Sequence, residues 1–219
     1  MNKIDTDIFL ECCFMFPFLS AIIFSMSSNL DNIVIGIAYG IKKIKIGLFA
    51  NLLISCITVT GTVLSMCAGK LITECLPNTI TNLLGSGIII LLGVYFVLQS
   101  LANLLNRKKR IRSVALKDAD SMIDYAQNSD KDVSGTIDPK ESIAVGFGLT
   151  FNNVGTGIAA SAAGVGILAT VICTFLFSVI FLFLGIYLGD KIFGKILGKY
   201  APLISGILLI ILGVLEIAN

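Results

Sequence analysis

Asp31 is a carboxylate set in an otherwise apolar stretch, Ser28-Asn29-Leu30-Asp31-Asn32-Ile33-Val34-Ile35-Gly36. At the centre of a membrane helix such a group costs at least about 2.5–3.5 kcal/mol, so its presence there argues for a function. Ser28, Asp31, Asn32 and Ile35 recur at three- and four-residue spacing, which puts them on one helical face. A second polar group, Leu149-Thr150-Phe151-Asn152-Asn153-Val154-Gly155-Thr156-Gly157, presents Asn152, Asn153 and Thr156 in the same way. Brought together, the two faces offer a carboxylate, amide carbonyls and hydroxyls. Such an oxygen-rich set suits hard divalent cations such as Mg2+, Ca2+ or Mn2+, with Asp31 and Asn152 as the candidate metal ligands. The chain contains no histidine, which argues against zinc, copper or nickel held by imidazole. The competing readings are structural: Asp31 as a protonated acid hydrogen-bonded between helices, and the asparagines as interhelical glue.

The elements that must carry these residues are membrane spans. Of the 219 residues 56% are hydrophobic and 14% charged, against about 25% charged in a soluble domain. That composition excludes an ordinary soluble domain, which could not cover its core, and excludes disorder, which needs high charge. The net charge of +2 points to no nucleic-acid partner; the expected surroundings are lipid. Six apolar runs, at about 14–39, 46–69, 82–104, 142–164, 167–189 and 201–218, have the length that spans a bilayer as a helix. They are unbroken, as in Ile88-Ile89-Ile90-Leu91-Leu92, where barrel strands would alternate. Gly164-Val165-Gly166 supplies the turn between the fourth and fifth. The acidic start, with Asp5, Asp7 and Glu11, is unlike a signal peptide's basic n-region.

Eight Lys/Arg and seven Asp/Glu fall between Asn106 and Glu141. This segment reads as a solvated connector, with one short helix around Val114–Tyr125 and a flexible linker at Ser129–Gly135. With the N-terminus outside, three loops face the cytoplasm and hold 14 of the 16 basic residues, including Lys42, Lys43, Lys45, Lys191, Lys195 and Lys199. That bias sets both termini outside. Glu216, near the outer end of the last run, is expected to reach the solvated interface.

The chain also repeats itself. An offset of 121 aligns Asp31 with Asn152, Asn32 with Asn153 and Gly36 with Gly157. An offset of 120 aligns Leu92-Gly93-Val94 with Leu212-Gly213-Val214, and Gly69 with Gly189. A three-span unit, duplicated, must enter the membrane from the opposite side, and such inverted repeats place a transporter's substrate near the midplane. The expectation is an all-α integral membrane protein with six transmembrane helices as two inverted three-helix repeats. Residues 1–105 form the first repeat, 106–141 the cytoplasmic connector and 142–219 the second repeat. Small residues at four-residue spacing, such as Gly36/Gly40, Gly155/Ala159/Ala163 and Gly185/Gly189, read as close helix packing. The six cysteines show no CxxC and read as buried apolar thiols. No Walker A loop, nucleophile elbow or HExxH helix is present, so no enzyme activity and no cofactor beyond a transported divalent cation is expected.

Ser28-Asn29-Leu30-Asp31-Asn32…Gly36-Ile37-Ala38-Tyr39-Gly40-Ile41-Lys42-Lys43, Gly148-Leu149-Thr150-Phe151-Asn152-Asn153…Gly157 and Ser205-Gly206-Ile207-Leu208-Leu209-Ile210-Ile211-Leu212-Gly213 resemble the MntP-type manganese efflux family, including its sporulation-related relatives, over essentially the whole chain. The resemblance implies the six-span fold and export of a small cation, Mn2+ foremost, by a secondary transporter of the cell membrane. The family's pattern carries an acid in each half; the first maps onto Asp31 and the second onto Asn152, an amide. The family's efflux members also resemble one another in a glutamate in the second span, where this chain has Asn51 and no acid. Two alternatives stand beside transport of a cation: a non-transporting membrane component acting in sporulation through partner binding, and an exporter of an amino acid or other polar solute bound by Asn32, Asn152 and Asn153.

Overall fold

The computed structural model describes residues 3–74, 78–105, 126, 128–189 and 194–218. Seven helices cover most of them: α1 Lys3–Ser28, α2 Leu30–Lys42, α3 Leu48–Thr73, α4 Asn78–Leu105, α5 Pro139–Ala162, α6 Ile167–Gly189 and α7 Gly194–Ala218. Among the described residues the only sheet pairing is an isolated bridge between Lys45 and Thr136. The expected short helix at Val114–Tyr125 lies outside the described residues.

Phe16–Lys42, Leu48–Thr73, Leu83–Ala102 and Ile167–Gly189 are long and apolar enough to cross a membrane. A fifth crossing is formed if α5 counts as one span, although it bends by 48° between Phe151 and Asn153. The apolar part of α7, Leu203–Ala218, is shorter. The burial pattern is that of a multi-pass membrane protein. Phe49, Leu91, Phe151 and Leu168 are 69–77% exposed, while many serines, threonines and asparagines are buried among the apolar core.

The first apolar run is not one continuous helix. It breaks at Asn29, whose φ of −101° and ψ of 4° separate α1 from α2. Asparagine can satisfy its own backbone in a turn and so competes with the helix. Here the Asn29 amide Nδ2 donates back to Ser25 O at 2.8 Å, and Asn32 N donates to Asn29 O at 3.0 Å. Ser28 therefore ends one helix and Asp31 begins the next, rather than both lying on one unbroken face. At its other end α2 stops in a left-handed Lys43 (φ 57°), with Ile44 N donating to Tyr39 O and Lys43 N to Gly40 O.

Three helix pairs dominate the packing: α2 on α6, α3 on α5 and α4 on α7. The expected turn between α5 and α6 is present, with Gly164 at φ +98°. Gly155 departs from the packing expectation: a Cβ there would meet nothing within 4 Å, because the residue faces outward. Cys56 and Cys67 are exposed on α3, and only Cys173 among the described thiols is buried as expected.

Two polar features differ from the sequence reading. Glu216 is only 9% exposed, because the α5–α6 turn covers it: a Cβ on Gly164 would stand 3.9 Å from its Oε2. Ser129–Gly135 is no free linker. Lys45 N donates to Gly135 O at 2.9 Å and Ile137 N to Lys45 O at 3.0 Å, fastening the segment to the α2–α3 loop. Ala126 and Ile137 join Tyr39, Ile44, Ile46 and Val145 in one hydrophobic cluster. α5 then starts on a capping box between Asp138 and Glu141 with Pro139 in its first turn.

Candidate functional site

The break at Asn29 organises the polar residues around it. Asp31 occupies the first turn of α2 and is 4% exposed. A helix N-terminus carries partial positive charge and favours a carboxylate. Asn32 is fully buried; its Nδ2 donates to Asn29 Oδ1 at 3.0 Å and to Ser178 Oγ of α6 at 3.0 Å. Its Oδ1 has no hydrogen-bond partner among the described residues. Ser28, at the end of α1, donates to Ser25 O at 3.3 Å and accepts a long contact from Asn29 Nδ2 at 3.5 Å.

On α5, Asn153 is 6% exposed and its Nδ2 has no partner among the described residues. Thr156, equally buried, donates to Asn153 O at 3.1 Å. Asn152 sits at the bend between the two straight parts of α5, and its side chain lies outside the description. The structure thus brings Ser28, Asp31 and Asn32 together at the helix break, and Asn153 and Thr156 together on α5. No described hydrogen bond joins Asn32 to Asn153.

Sequence reasoning missed the residues that support these groups. Thr170, Thr174 and Ser178 form a fully buried polar edge on α6. Ser25 Oγ lies 3.0 Å from Thr174 Oγ1 and donates to Thr170 O at 3.3 Å. On α3, Asn51, Ser55, Thr58, Thr62 and Ser65 form a second buried stripe. Asn51 Nδ2 reaches across to Val179 O at 3.1 Å and Asn51 Oδ1 accepts from Ser55 Oγ at 3.4 Å. The signal was available, since these residues recur every three or four positions inside apolar runs. Ser27 and Ser205 exchange reciprocal hydroxyl-to-carbonyl bonds of 2.9 and 3.0 Å and tie α1 to α7. Buried polar stripes on α3 and α6 thus run through an interior that also holds apolar clusters.

Comparison with known proteins gives two matches. Residues 120–217 match the family model described as "Mntp: Putative manganese efflux pump". Over 168 residues the chain is 26% identical to "Probable sporulation protein YtaF" of Bacillus subtilis (strain 168), covering 73% of this chain and 80% of that protein. No solved structure matches.

Proposed function

From a chain that is a relative of the MntP and YtaF type, we propose a secondary transporter that exports a small divalent cation, Mn2+ foremost, across the cell membrane. The observation that carries this reading is the helix break at Asn29 beside buried Asp31. Transporters place their ion sites near the midplane, where discontinuous helices free backbone and polar groups for a ligand. The 48° bend at Asn152 falls at the position that the 121-residue offset pairs with Asp31.

Helix contacts support the inverted repeat. Gly36 abuts Gly185, and the same pair displaced by the two offsets is Gly157 against Ser65. Gly40 on Gly189 corresponds to Ser161 on Gly69, and Gly93 on Gly206 to Gly213 on Ser86. A twofold exchange of two three-span halves generates all three correspondences, with α7 as the sixth span. The 43–47 loop lies with residues 135–137, and Gly85, Ala163 and Glu216 gather at the opposite end. With the positive-inside bias, this supports a cytoplasmic 106–141 connector and external termini.

In this reading Asp31 is the charged ligand. Asn32 Oδ1, Ser28 Oγ, Asn152, Asn153 and Thr156 supply neutral oxygens as the cation exchanges faces. The two ends of the Asn153 amide are interchangeable in outline; turned over, it presents an oxygen where Nδ2 has no partner among the described residues. The test is metal tolerance and Mn2+ efflux in a deletion strain carrying wild type or Asp31→Asn. Wild type restores both and Asp31→Asn neither; equal efflux from the two removes the proposal.

One observation favours a second reading. Neither Asn152 nor any residue of α3 supplies a second carboxylate, and a +2 ion held by one acid keeps an uncompensated charge. A non-transporting component that works in sporulation through partner binding fits that lack. It requires the 106–141 connector and not Asp31, so a connector swap that abolishes complementation while Asp31→Asn retains it selects this reading.

A further inference from the structure

Residues 130–141 read Asp-Lys-Asp-Val-Ser-Gly-Thr-Ile-Asp-Pro-Lys-Glu. Side-chain oxygens stand at positions 1, 3, 5, 9 and 12 of this stretch, as Asp130, Asp132, Ser134, Asp138 and Glu141, with Gly135 at position 6. Helix–loop–helix calcium sites of about 12 residues use this register: ligands at 1, 3, 5, 7, 9 and 12, the seventh a backbone carbonyl, and glycine at 6 for the sharp turn. We propose that residues 130–141 bind one Ca2+ ion.

The fold draws the same residues together. Asp130 Oδ1 and Oδ2 accept from Ser134 N at 3.0 Å and Gly135 N at 2.9 Å, and Asp132 Oδ1 accepts from Ser134 N at 3.1 Å. Gly135 has a φ of +75°, the left-handed conformation that glycine adopts freely. Ser134 Oγ donates to the position-7 carbonyl, Thr136 O, at 2.9 Å, so the position-5 hydroxyl and the position-7 carbonyl already lie side by side. One oxygen each from Asp130, Asp132 and Glu141 lies within 4.8 Å of the others.

Charge and burial point independently to a cation. Asp130 and Glu141 are 7% and 9% exposed, more than nine-tenths buried. Lys131 and Lys140, the loop's own cations, are exposed, and no ion pair to the three carboxylates occurs among the described residues. Their partners are backbone N–H groups: Lys131 N donates to Glu141 Oε1 at 2.6 Å and Asp138 N to Glu141 Oε2 at 3.1 Å. These bonds satisfy the oxygens but supply no counter-charge, and gathered negative charge of this kind favours a cation. An all-oxygen set of three converging carboxylates, a hydroxyl and a carbonyl matches Ca2+, which takes six to eight oxygens, better than Mg2+, which keeps its waters and an octahedron. Helix α5 begins inside the loop at Pro139, and Lys45 of the α2–α3 loop is bonded to Gly135 and Ile137. A bound ion would therefore brace the starts of α3 and α5 together.

Binding is independent of the transport reading, and the test keeps them apart. The full chain in detergent is titrated with CaCl2 by calorimetry in millimolar MgCl2, as wild type, Asp132→Asn, Glu141→Gln and Asp31→Asn. Wild type and Asp31→Asn each take up one Ca2+, while Glu141→Gln and Asp132→Asn weaken it at least tenfold. Asp132 is exposed and outside the hydrophobic clusters, so its amide variant stays folded. Absence of saturable uptake below about 1 mM, the weak limit of such loops, overturns the proposal. So does uptake that survives both loop variants unchanged, or that disappears in Asp31→Asn. A preference of the same residues for MnCl2 over CaCl2 overturns the choice of ion.

Discussion

Gly36 of α2 and Gly185 of α6 meet backbone to backbone: a Cβ on either would stand 2.9 Å from the other's Cα. Between membrane helices there is no hydrophobic drive to associate, so close packing of this kind holds the pair together. It also sets how Asn32, one helical turn before Gly36, reaches Ser178.

Valine at either glycine is expected to lower stability by about 1–3 kcal/mol, the usual cost of overpacking, read as a fall in Tm in detergent. Gly155→Ala is the contrast. Its Cβ meets nothing within 4 Å, so it should raise stability by up to about 1 kcal/mol through helix propensity.

A Cβ on Gly157 would fall on the Ser65 side chain. Gly157→Ser should destabilise the α3–α5 pair, and Ser65→Gly in the same chain should recover part of the loss. A double-mutant cycle by thermal unfolding is expected to give a coupling within about 0.5–3 kcal/mol; additive effects would show that the two sites do not touch.

Ser178→Ala removes an acceptor from Asn32 Nδ2. Interhelical hydrogen bonds in membranes contribute about 0.6 kcal/mol on average and up to about 1.7, so the stability change should be of that size. Mn2+ efflux should fall more steeply than stability, because the Asn32 amide, a proposed ligand, then loses its anchor on α6.

Asn152→Asp introduces a carboxylate at the position that the 121-residue offset pairs with Asp31. It is expected to strengthen divalent-metal tolerance of a deletion strain challenged with Mn2+, Mg2+ or Ca2+. An unchanged phenotype would argue against a metal site on this axis.

Val133 is 85% exposed at the tip of the 130–141 loop. In a chain with its native cysteines replaced by alanine, Val133→Cys should react with a membrane-impermeant maleimide only after the cells are opened. Labelling of intact cells would reverse the proposed orientation.

Much of the site was legible in sequence. Asp31 stands out because a carboxylate in an apolar run is costly, and the Gly36/Gly40 and Gly185/Gly189 spacings mark faces that approach closely. The 130–141 loop was read from sequence only as part of a solvated connector with a flexible linker, although its residues carry a register of ligands. Its composition of Asp, Ser and Gly equally describes a linker, and the difference lies in whether the oxygens converge.

The sequence alone determined that the chain lies in the membrane, where its main spans run and where the acid Asp31 lies within the first of them. The bilayer enforces these locally, through helix length and the price of unsatisfied or charged groups. Only the tertiary structure decided the helix break at Asn29, the pairing of α2 with α6, the burial of Glu216 and the closure of residues 130–135 against Lys45. The last three depend on partners distant along the chain, as does the bond between Asn32 and Ser178, 146 residues apart, while the break at Asn29 turns on a local choice between side-chain and helical bonds that composition leaves open. Hydropathy specifies that a helix is buried, while the geometry of polar contacts specifies against which neighbour.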